Sequence, residues 1–293
     1  MKTLTATGRI PRVEATGPGA LGLWHLLSLD APTVAATWTV FIARAAHVAL
    51  PLFAPAAMFL AVWAIYAADR LMDARLMDAR LMDARRQHHL EARHRFHGRH
   101  RAGFQAALAA AAIAMLPLVA AMPMRTRHAY LALGLMLLLW LALIHRVGRQ
   151  FRMPKELAVG FFFSAAVFIP TVSRSPQVGL VLPALCFANL CSLNCLFIYA
   201  WEHPPERPSA KPHATTVFGL RVLEWIAVAS IVLPLAMMPF ASLSGRPILL
   251  AASLGALFLL ALHRARARLN RTDLRAAADL ALLSPLLLLP FLR

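Results

Sequence analysis

Long apolar runs, each bounded by charge, proline or glycine, set the pattern of this chain. They fall near 32–50, 52–68, 102–122, 128–145, 157–173, 178–200, 218–240, 246–263 and 275–291. Each approaches the roughly 20 residues that a helix needs to cross a hydrocarbon layer about 30 Å thick. The pattern therefore predicts an all-α fold, a polytopic transmembrane helical bundle of about nine helices. Pro51 suits a tight uncharged hairpin between the first two runs, and Arg44 is the one basic residue inside them. Residues 1–31 read as a cytoplasmic tail and juxtamembrane segment. Residues 32–292 read as a single helical domain with a polar loop at 69–101.

Composition agrees with a bilayer as solvent. Hydrophobic residues make up 60% of the 293 positions and charged residues 15%, too little polar surface for a water-soluble globule of this size. The formal charge of +17 would suit nucleic acid, but the basic residues lie in clusters between the apolar runs. The aromatics that would stack on bases lie mostly inside those runs, so a nucleic-acid partner is not expected. Of the 30 Lys and Arg residues, 24 lie in the N-terminal tail and in segments 70–101, 146–155, 207–221 and 264–275, which alternate with nearly uncharged connections. By the positive-inside rule these segments are cytoplasmic. The protein is then expected in the cytoplasmic membrane with its N-terminus inside and its C-terminus outside. The first twenty residues lack the apolar core and cleavage site of a secretory signal. Cys186, Cys191 and Cys195 share one apolar run and read as small packing residues.

The loop at 69–101 contains LMDAR three times in tandem, at 71–75, 76–80 and 81–85. Five residues advance a helix by about 140°, so the copies spiral around the axis and form no single stripe; two of them read as a local expansion. Asp69 and Asp73 stand one turn apart nearest the membrane and share a face. His88, His89, His94, His97 and His100 follow, interleaved with arginines that disfavour a bound cation, and read as a surface in contact with anionic lipid.

Carboxylates recur at the predicted cytoplasmic ends. Asp69 and Asp73 close the second run, Glu156 opens the fifth beside Lys155, and Glu202 and Glu206 follow the sixth. Two such pairs with Lys and Arg nearby could hold Mg2+ and a diphosphate, since magnesium takes oxygen ligands from one or two carboxylates together with substrate phosphates. The same acids also suit salt bridges on a solvated surface, and Asn194 and Tyr199 suit helix–helix hydrogen bonds.

The segments IYAADRLMD at 65–73, with RHR at 93–95, resemble the first Asp-rich motif of the UbiA superfamily of intramembrane prenyltransferases, with Ile65 and Tyr66 where that motif has Asn and its first Asp. PKELAVGFFFSAAVFIP at 154–170 resembles the family's Lys before a Gly-containing fifth helix. YAWEHPPE at 199–206 with HATTVFG at 213–219 resembles the second motif, with Glu202 and Glu206 in place of aspartates.

The resemblance implies a nine-helix bundle that transfers a prenyl group from a polyprenyl diphosphate to an aromatic or lipid acceptor. By that likeness Asp69, Asp73, Glu202 and Glu206 hold Mg2+. Asp69, Asp73, Lys155 and Tyr199 act in catalysis, and Arg70, Arg93, Arg95 and Asn194 contact the diphosphate. The alternative is a non-catalytic membrane protein of the same fold that binds lipid or partner proteins.

Overall fold

The computed structural model describes residues 19–80, 92–146, 155–202 and 214–292. Among them every regular element is helical. The chain opens with α1 (Ala20–Leu26) and α2 (Asp30–Ala45), which are bent by 89° at a short break. Ser28 makes that break, with a left-handed φ of 60° that non-glycine residues seldom adopt. The connection after α2 includes His47, also left-handed at φ 54°, and passes Pro51 into α3 (Phe53–Arg80), the hairpin expected there. The long α3 carries the first two LMDAR copies; the third lies outside the described residues.

Then come α4 (Ala92–Arg99), α5 (Arg101–Ala120), α6 (Met124–Arg146), α7 (Lys155–Val172) and α8 (Val181–Glu202). The remainder is α9 (Ala214–Arg221), α10 (Leu223–Met237), α11 (Gly245–Ala265), α12 (Arg271–Ala281) and the short α13 (Pro285–Leu288). Five helical stretches are long and apolar enough to cross a membrane, and each of two bent pairs, α1 with α2 and α12 with α13, adds one more. At 17 apolar residues, Glu156–Val172 of α7 is shorter than these. The protein is thus an all-helical chain built to sit in a bilayer.

The core lies among α2, α7, α8 and α11. Trp38 and Phe41 of α2, Phe187 and Phe197 of α8 and Ile248 of α11 are fully buried. Trp38 stacks on Phe187 with ring centroids 4.0 Å apart. Close approach of α7 and α8 depends on Gly160, where a Cβ would stand 2.2 Å from Ser192 Oγ and 2.3 Å from the Ala188 carbonyl oxygen. Small residues let helix backbones approach in this way where lipid supplies no hydrophobic drive between helices. By contrast α5 and α6 present exposed Ile113, Leu116, Leu131, Leu135 and Leu138, the apolar outer face that hydrocarbon tolerates.

Hydrogen bonds sort the connections into two ends. At one end Trp63 Nε1 donates to the Leu27 carbonyl, Trp201 Nε1 to His263 Nδ1 and Thr216 Oγ1 to Glu156. At the other, Gln177 Nε2 donates to the Ala46 carbonyl, and the Thr126 and Ser173 hydroxyls share a hydrogen bond.

Candidate functional site

The left-handed turn at Ser28 lets α2 begin at Asp30, beneath the end of α1. There Asp30 Oδ1 accepts from the Ala31 backbone N–H at 3.1 Å, a favourable place for an anion at a helix N-terminus. His25 Nδ1 of α1 lies 2.5 Å from Asp30 Oδ2. Arg70 reaches in from α3: Nη1 donates to the His25 carbonyl at 2.7 Å and to Ser28 Oγ at 2.8 Å, and Nη2 stands 3.6 Å from Asp30 Oδ2. Asp30 and Arg70 are 1% and 5% exposed. Ser28 Oγ also lies 3.2 Å from His97 Nε2, and the His97 ring stacks on Phe104 of α5.

From the opposite side α12 supplies Asp279, whose carboxyl group comes within 4.8 Å of His25 and Asp30. Asn194 Nδ2 of α8 donates to Asp279 Oδ1 at 3.0 Å. One turn nearer the end of the bundle, Arg275 is ion-paired with Glu202 at the end of α8. A cavity of about 30 Å3 adjoins this network. Tyr66, Asn194 and Asp279 give it a polar side, and Val34, Phe163 and Leu282 an apolar one. A volume of that size holds a water or an ion.

Of the residues singled out from sequence, Arg70 and Asn194 enter this cluster and Glu202 adjoins it. Asp69 is exposed although its neighbour Arg70 is buried, and Tyr199 is partly buried on α8. Asp73 lies on α3, Arg93 and Arg95 on α4 and Lys155 at the start of α7, but their side chains are outside the described set; Glu206 lies outside the described residues altogether. His97 corrects the reading of the histidine segment as a lipid-facing surface. It is fully buried and bonded to Ser28, because α4 folds back along α1 and α3. His100 is exposed as expected, and His88 and His89 lie outside the described residues.

Sequence reasoning passed over His25, Asp30 and Asp279. Asp279 had a legible signal, being an acid within the last apolar run, where an ionisable side chain marks a functional site by default. His25 and Asp30 sit in the segment read as juxtamembrane and carry no such mark.

The fit of magnesium to the two motif-like acid pairs can be judged only at Asp69 and Glu202. They form no ligand set: Asp69 faces outward and Glu202 is engaged by Arg275. Among the described residues, the group with metal-ligand geometry is His25, Asp30 and Asp279, with one potential ligand atom of each within 4.8 Å of the others. Comparison with models of known families, with curated proteins and with solved structures finds no match.

Proposed function

We propose that this protein is an intramembrane transferase of the UbiA type, acting on an amphiphilic substrate with a diphosphate head and a prenyl tail. In this reading it is a nine-helix bundle whose N-terminus faces the cytoplasm and whose C-terminus is external. The observation that supports it is the meeting of α3 and α8, the helices bearing the two motif-like segments, on the walls of one cavity that is polar on one side and apolar on the other. Arg264 and Arg266 at the end of α11 would supply positive charge for an anionic head. Catalysis would consist of stabilising the departing diphosphate and keeping water from an allylic cation. The cavity is too small for a prenyl chain, so substrate entry requires the helices around it to part. Full-length protein in nanodiscs, incubated with prenyl diphosphates of several chain lengths and a set of aromatic and lipid acceptors, with and without Mg2+, tests the proposal. Turnover of at least one donor is expected, and absence of binding or turnover across all lengths overturns it.

The non-catalytic reading has its own support in the Glu202–Arg275 ion pair and the outward-facing Asp69, which leave the described motif acids in structural or surface roles. Full complementation of a deletion strain by the Asp69→Ala, Asp73→Ala double variant would favour it over the enzyme.

A further inference from the structure

The cavity between α2, α3, α7, α8 and α12 holds an unmet polar demand. Asn194 of α8 is 6% exposed and lines it together with Tyr66 of α3 and Asp279 of α12. Its Nδ2 donates to Asp279 Oδ1 at 3.0 Å, while its Oδ1 is buried and has no hydrogen-bond partner among the described residues. A buried acceptor in that state destabilises the fold until a donor reaches it. Exchanging the oxygen and nitrogen of the amide only makes the unmet group a donor instead. An O–H group answers both cases, because it donates and accepts. It is also neutral, so its fit is the same however many protons the nearby acids and His25 hold.

The rest of the lining says what carries the hydroxyl. It includes Val34, Val159, Phe163 and Leu282. Val159 is also 41% exposed, so the cavity lies beside the outer surface of the bundle. On either side, α3 and α7 both pack against α2 but scarcely against each other among the described residues. A water molecule would find partners only among the polar groups and leave the apolar wall bare. An alcohol with a hydrocarbon chain matches both, in the manner of ligand sites that set a few polar groups in an apolar wall. The space of about 30 Å3 takes a hydroxyl group, and the chain leaves past Val159 into the hydrocarbon.

We infer that Tyr66, Asn194 and Asp279 form a binding site for the hydroxyl head of a lipid alcohol that enters sideways from the bilayer between α3 and α7. Asn194 supplies the hydrogen bond that decides binding, and Val159 stands at the opening. This goes beyond the transferase reading: the ligand carries no phosphate, and its binding needs neither Mg2+ nor turnover.

Photolabelling of full-length protein in nanodiscs tests this. The probe is hexadecan-1-ol carrying a diazirine near the hydroxyl, the control is the same probe with hydrogen in place of the hydroxyl, and unlabelled hexadecan-1-ol is the competitor. Saturable, competed labelling is expected on the stretches of α3, α7 or α8 beside the cavity, with the control at least about tenfold weaker, a difference of about 1.4 kcal/mol. Asn194→Leu removes the hydrogen-bonding group at similar size and should weaken labelling by at least about tenfold. Val159→Trp leaves the polar groups in place and narrows the opening, so it should reduce labelling severalfold. Because position 159 is exposed, this second variant decides the matter where Asn194→Leu fails to fold. Absence of saturable labelling, equal labelling by the control, labelling confined to sites away from the cavity, or unchanged labelling in either folded variant overturns the inference.

Discussion

Trp38 Nε1 donates a 2.7 Å hydrogen bond to the backbone carbonyl of Leu282, the residue at which α12 stops short of α13. A helix broken inside a bilayer frees carbonyls that neither water nor lipid can satisfy. Here an indole from the second helix satisfies one of them, while its ring is held against Phe187. Trp38→Phe keeps most of the ring but leaves that carbonyl bare, so a loss of about 1–3 kcal/mol is expected. Thermal unfolding in detergent, followed through a reporter fused to the C-terminus, should show a lower Tm without loss of helix content.

Arg70 and Asp30 should show strongly unequal single and double effects. Arg70→Met leaves Asp30 buried without its cation and should cost about 3–5 kcal/mol. Asp30→Asn combined with Arg70→Met removes both charges and should recover a substantial part of that loss. Stability of the two proteins measured side by side checks this; equal losses would mean that Arg70 matters for its bonds to Ser28 and the His25 carbonyl and little for its charge.

Gly160 and Gly134 offer a matched pair. A methyl group at position 160 meets the Ala188 carbonyl oxygen at 2.3 Å, whereas at position 134 nothing lies within 4 Å. Gly160→Ala must push α7 away from α8 and should cost about 1–3 kcal/mol or more, as overpacking does. Gly134→Ala should leave the folded yield unchanged or slightly raised, through the better helix propensity of alanine.

Glu202 distinguishes a structural acid from a metal ligand. Its side chain and that of Arg275 are partly exposed, so a double-mutant cycle with Glu202→Gln and Arg275→Gln should give a coupling of about 1 kcal/mol or less. If turnover of a prenyl diphosphate is found, Glu202→Gln should then reduce it only modestly. Abolition of turnover in a stably folded Glu202→Gln protein would place this residue on the metal instead.

The helices around α3, α8 and α11 are legible in the sequence because a bilayer fixes both the length and the apolarity of what crosses it. The broken elements are not. The bend between α1 and α2 turns on Ser28, whose left-handed backbone no local composition announces, and the last apolar run conceals the break before Pro285. Arg70 and Asn194 could be singled out as polar groups at a membrane boundary, but their real partners, Asp30 and Asp279, come from the two ends of the chain. Pairing across that separation leaves no periodic trace. Asp69 and Arg70 are neighbours on α3 with opposite settings, the acid exposed and the arginine buried, a difference that adjacent positions in the sequence do not announce.

The bond from Trp38 to Leu282 joins residues 244 positions apart, and this has a bearing on biogenesis. At a synthesis rate of about 5–20 residues per second, the indole waits roughly 12–50 s for its acceptor to leave the ribosome. Until α12 follows, Asp30 has His25 and, once α3 is made, Arg70 as partners, but not Asp279. The seam between α2 and α12 therefore cannot form until α12 has been made.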